Sequence, residues 1–137
     1  MGTFQSGVLL GIVAVLLLDT IGSILSNRLR FRYTKLTPVS LLLWAASAAI
    51  ASRGAAPDLI KSVGLGWMAG LIVGLADSTA GWWISWRLGP GRLRPELISR
   101  RNVLRIIFRV TMLAAALGGA GALVRELANK LIAHSPA

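Results

Sequence analysis

The chain has 137 residues, 55% of them apolar, and 15 Lys and Arg against 5 Asp and Glu give it a net charge of +10. Four membrane spans of about twenty residues each would use about eighty residues, leaving room for short connections and not for a second, soluble domain. The lack of cysteine excludes a disulfide framework, a thiolate metal site and a cysteine nucleophile.

Residues 7–27 form the first apolar run, long enough to cross a hydrocarbon core of about 30 Å at about 1.5 Å per residue. Its amino end has no positive charge and Asp19 interrupts it, so it reads as a retained span and not as a signal peptide. Gly7, Gly11 and Asp19 share an i+4 row with Val15, and Gly22 lies one turn further; small faces of this kind let helices approach closely. The connection that follows carries Arg28, Arg30, Arg32 and Lys35, with Phe31 and Tyr33 as interfacial aromatics.

Residues 36–52 make the second and shortest run. Pro38 falls in its first turn, where a missing N–H costs nothing. Ala45, Ala48, Ala49 and Ser52 give it small-residue pairs, and Trp44 fits neither interfacial belt. The third run, 63–86, contains the row Gly66, Gly70 and Gly74, which leads into Asp77, Ser78 and Gly81. Trp67 lies near one boundary and Trp82, Trp83 and Trp86 near the other. Leu88-Gly89-Pro90-Gly91 breaks the helix, and Arg92 and Arg94 beyond it suit anionic lipid headgroups at about 1 kcal/mol per charge. In the fourth run, 106–124, Ala114, Gly118 and Ala122 repeat the small-residue spacing. Arg101, Arg105 and Arg109 stripe one face of a helix starting after Pro95. The first two meet headgroups; Arg109, the deepest, either snorkels or turns inward to pair with Asp77 or Asp19.

The cationic residues Arg28, Arg30, Arg32, Lys35, Arg87, Arg92, Arg94, Arg100, Arg101, Arg105 and Arg109 all fall on one side of this arrangement. The positive-inside bias assigns that side to the cytoplasm and both termini to the outside, in a cell inner membrane whose anionic headgroups face the basic connections. The +10 charge is therefore topological and does not point to nucleic acid.

The first and third runs also align with each other. Asp19-Thr20-Ile21-Gly22 matches Asp77-Ser78-Thr79-Ala80-Gly81 with one inserted residue, after which Gly22 to Arg28-Leu29 matches Gly81 to Arg87-Leu88 at the same spacing. The expected fold class is an all-α integral membrane protein: one membrane domain over 1–137, with four transmembrane helices as two tandem parallel-repeat hairpins, about 1–58 and 59–137.

Asp19 precedes Arg28 by about 14 Å of helix and Asp77 precedes Arg87 by about 15 Å, so both carboxyls fall near the middle of the core. Insertion of an Asp at that depth costs about 2.5 to 3.5 kcal/mol. Acids kept there mark a functional site facing the bundle interior or a wet cavity. Asp19 and Asp77, with hydroxyls from Thr20 and Ser78, are the candidate proton- or ion-binding group. The competing reading is structural, each Asp fixing helix register through Thr20, Ser78, Thr79 or an arginine.

Enzyme chemistry has little to stand on. His134, the only histidine, sits in the tail, and there is no HExxH, no metal cluster and no serine with an evident base. Intramembrane aspartyl proteases pair a Tyr-Asp with a Gly-x-Gly-Asp motif; here the stretches are Leu18-Asp19 and Gly74-Leu75-Ala76-Asp77, so both motifs fail. The expectation is a non-enzyme without metal or cofactor. It is either a proton- or cation-linked transporter or channel built on the Asp pair, completed by homo-oligomerisation, or a non-catalytic subunit docking on a larger membrane partner.

Overall fold

The computed structural model describes residues 2–55, 58–89 and 99–133, and all regular structure among them is helical. A helix satisfies its own backbone hydrogen bonds, which an apolar segment in lipid must do. Helix α1 (Thr3–Leu29) ends where Arg30 turns left-handed at φ 53°. A 3-10 turn (Tyr33–Leu36) leads into α2 (Thr37–Ala51), whose first turn holds Pro38, and a second 3-10 turn (Ser52–Ala55) follows. The second span is therefore longer than its apolar run: the helical stretch Tyr33–Ala55 covers 23 residues.

Asp58 caps α3 (Leu59–Ala76) by accepting the Lys61 N–H on Oδ1 at 3.0 Å, and this bond holds its carboxyl below the usual carboxylate range. A π turn (Asp77–Gly81) continues α3 into α4 (Trp82–Leu88), which stops at Gly89 with φ 111°. Helix α5 (Arg100–Ala133) is the longest at 34 residues. Four helical stretches, Thr3–Leu29, Tyr33–Ala55, Leu59–Leu88 and Arg100–Ala133, are long and apolar enough to cross a membrane, the format of a multi-pass membrane protein.

The interior is built from small side chains and the exterior from large ones. Ala48, Ala51, Ala69, Ala114, Ala115 and Ala122 are fully buried, while Leu10, Leu17, Leu42, Ile60 and Phe108 are exposed. In lipid, burying a leucine between helices gains little, and close backbone approach gains dispersion, so this partition suits a bilayer. Helices α2 and α3 pack on each other and on both α1 and α5. Gly66, Gly70 and Gly74 of α3 lie against Ala114, Gly118 and Ala122 of α5; Gly118 in turn abuts Gly66 and Gly70. On α1, Gly7 meets Ala51, Gly11 meets Ser47 and Val73, and Gly22 meets Leu36. At the basic end the Asn27 amide donates to the Leu88 carbonyl at 2.7 Å, tying α1 to α4.

The opposite end holds a polar cluster that the apolar runs do not reveal. Helix α5 continues past residue 124, the end of the fourth apolar run, so Arg125 is helical and partly buried beside the buried Glu126. Ser62 Oγ donates to Glu126 Oε1 at 2.8 Å, Arg125 pairs with the same oxygen, and Arg125 Nη1 donates to the Ala49 carbonyl at 2.9 Å. A buried acid with an adjacent guanidinium and a hydroxyl is satisfied in place, and the cluster joins α2, α3 and α5.

Candidate functional site

One added residue in a helix is absorbed by widening a single turn from α to π. That is the state of Asp77–Gly81, the stretch that carries one residue more than its counterpart Asp19–Gly22 in the alignment of the two halves. The wider turn leaves Asp77, Ser78 and Gly81 buried and puts Thr79 and Ala80 on the exposed side. Asp77 is 8% exposed and Asp19, on α1, is 6% exposed.

The two carboxyls are immediate neighbours, and each has its own donor. The Tyr33 hydroxyl donates to Asp19 Oδ1, and Trp44 Nε1 donates to Asp77 Oδ2 at 2.9 Å. Both donors belong to the second span, which thus positions acids carried by two other helices. Gly81 makes the approach sterically possible: a Cβ there would overlap Asp19 Oδ2 and stand 3.1 Å from Asp77 Oδ1. Among the described residues, buried Asp19 Oδ2 meets no donor beyond the neighbouring Asp77 carboxyl, and the buried Ser23 hydroxyl has no hydrogen-bond partner. The Ser85 side chain is 2% exposed and lies beside Tyr33.

The pair sits in a cavity of about 370 Å³, whose lining also includes Tyr33, Trp44, Ser78, Trp82 and Ser85. Among the described residues, exposed Thr34, Thr37 and Ile106 form its rim, so it opens between the turn leading into α2 and the start of α5, on the basic side. Towards the other side the bundle closes. Val15 and Val73 are fully buried, and Gly11 leaves no room for even a methyl group against Ser47 and Val73. Among the described residues, access to the pair is one-sided.

The structure sorts the residues singled out from the sequence. Asp19, Asp77 and Ser78 line one cavity, with Ser78 Oγ 3.2 Å from Thr111 Oγ1. Thr20 takes no part: its hydroxyl donates back to the Leu16 carbonyl at 2.7 Å, a bond available within its own helix. Nor does Arg109 pair with either acid. It is exposed on α5 with no ion pair among the described residues, because the buried face of α5 runs through Thr111, Ala114 and Ala115. Arg28, Arg30, Arg32, Lys35, Arg101 and Arg105 are exposed. Arg92, Arg94 and His134 lie outside the described residues, among which no group of side chains suits a metal ion.

The sequence does not mark Tyr33 and Trp44 as site residues, and Tyr33 beside a basic connection reads as an interfacial aromatic. For Trp44 a signal is present all the same, since an indole N–H away from both belts needs a buried acceptor. Replacing Trp44 with phenylalanine keeps an aromatic ring but removes the N–H and part of the buried indole, leaving Asp77 Oδ2 without that donor, so it should cost at least about 1–3 kcal/mol. Thermal unfolding in detergent measures this; an unchanged midpoint would show that the indole N–H does not anchor Asp77.

No family model, curated protein or solved structure matches this chain. The functional reading therefore rests on the site.

Proposed function

We propose that this protein is a small transporter of the cell inner membrane, with its basic end in the cytoplasm and both termini outside, in which Asp19 and Asp77 together bind a proton or cation. The observation that carries the reading is the pairing of two buried carboxyls at a cavity, with one Asp19 oxygen meeting no donor beyond the other acid among the described residues. An acid retained for packing alone looks like Glu126, which is enclosed by a guanidinium and a hydroxyl. Among the described residues Asp19 and Asp77 have neutral donors and no arginine, so they keep the capacity to hold a positive charge.

One-sided access favours a carrier over an open channel, since release on the far side requires a second state. The π turn is where the helix bearing Asp77 can shift register by one residue, and the two parallel hairpins supply elements able to rock against each other. A homo-oligomer would complete the path. The cavity and its acid pair favour transport over the accessory-subunit reading, because docking on a partner needs neither.

Flux in liposomes tests the proposal. With Asp19→Asn and Asp77→Asn combined, proton or monovalent-cation flux should fall to the level of protein-free vesicles. Flux that persists in the double variant would remove the pair from the mechanism.

A further inference from the structure

The cavity restricts which cation the pair would bind. At about 370 Å³ it falls in the range of small-molecule sites, roughly 300–1,000 Å³, and is an order of magnitude larger than the roughly 30 Å³ occupied by a water. A dehydrated inorganic cation needs a close shell of several oxygens. Here the groups next to the acids include an indole N–H, which donates only, and a phenol already donating to Asp19. Much of the remaining wall is apolar, with Leu36, Trp82, Ile106 and Val110. Among the described residues no lysine or arginine lines the cavity, which argues against an anion, and a neutral apolar guest would offer the two buried acids neither a charge nor a donor.

We propose that the cavity is a binding site for an amphipathic organic cation, with its charged nitrogen at Asp19 and Asp77 and its apolar body against Leu36, Trp82, Ile106 and Val110. The inference rests on the reading of the pair as a cation site and deepens it. The carboxyls supply charge, and the aromatic rings of Trp44 and Trp82 supply surfaces that attract cations. The rim of Thr34, Thr37 and Ile106 offers entry at the level of the basic end, where an amphipathic cation would partition into anionic lipid.

The test is calorimetric titration of the purified chain in lipid nanodiscs with benzyltriethylammonium, alongside the neutral N,N-diethylbenzamide and the small cations choline and sodium. Benzyltriethylammonium should bind saturably and at least tenfold tighter than each of the other three. Asp77→Asn, which keeps an acceptor for Trp44, should weaken that binding at least tenfold. Val110→Trp, which fills the cavity without touching an acid, should do the same, with Ser40→Leu as its substitute if the first does not purify as a single species. Absent binding, equal binding of the amide, or affinity unchanged in Asp77→Asn would overturn the proposal. Failure here is distinguishable from failure of the transport reading. Carboxyl-dependent proton or sodium flux without organic-cation binding sinks this inference alone. Carboxyl-dependent binding without any flux upholds the site and sinks transport.

Discussion

Alanine at Gly81 is expected to force Asp19 and Asp77 apart and to destabilise the protein by about 1–3 kcal/mol, through the steric push and the strain on the hydrogen bonds that hold the two carboxyls. The added methyl would occupy the position of Asp19 Oδ2 and press on Asp77 Oδ1 from 3.1 Å. Neither carboxyl has an easy retreat, since Asp19 is held by Tyr33 and Asp77 by Trp44. The prediction has an internal control in Asp19→Ala, which removes the group that collides. In that background Gly81→Ala should be close to neutral, or slightly favourable through the gain of up to about 1 kcal/mol in helix propensity. Asp19→Ala has its own cost, so the informative quantity is the coupling between the two substitutions, expected at about 0.5–3 kcal/mol. Thermal unfolding of the four proteins of the cycle in one detergent gives it. Equal costs of Gly81→Ala in both backgrounds would mean that the carboxyl does not lie where the geometry puts it.

The second large effect is a contrast within α3. Gly70→Ala would drive a methyl into the Ala114 carbonyl oxygen and to 3.0 Å from its carbon. Backbone cannot rotate out of the way as a side chain can, so the seam between α3 and α5 would have to open along its length, at a cost of about 1–3 kcal/mol. Gly64→Ala is the same chemical change in the same helix, at a position with nothing within 4 Å. There the only consequence is improved helix propensity, a gain of up to about 1 kcal/mol. The two variants should therefore move the unfolding midpoint in opposite directions. If both lowered it alike, the close approach of α3 and α5 at Gly70 would be disproved.

Much of the fold was legible because lipid-compatible helices declare themselves by length and apolarity. The runs 7–27, 36–52, 63–86 and 106–124 each lie inside a helical stretch long enough to span. Their ends were less legible, because helices continue through polar residues that an apolar run excludes. That is why α5 reaches Ala133 and carries Arg125 and Glu126 into a buried cluster. The acids of the site stood out by their cost at mid-depth. Their donors did not, since a tyrosine beside a basic connection has the same sequence signature whether it faces lipid headgroups or reaches down to Asp19.

Composition and pattern by themselves determined that the chain is helical, that four stretches are long and apolar enough to cross a membrane, that its charge gathers at one end, and that two acids stand at similar distances from the arginines that end their apolar runs. These are properties of each segment taken alone, and the cost of polar groups in an apolar medium is enough to read them. Only the tertiary structure decided that Asp19 and Asp77 are neighbours, that Tyr33 and Trp44 hold them while Thr20 and Arg109 do not, and that a cavity reaches them from one side. Those facts depend on how helices rotate and approach one another. That was decided by which small residues meet, with Gly81 against Asp19 and Gly11 against Ser47, and a single helix does not encode its partner's face.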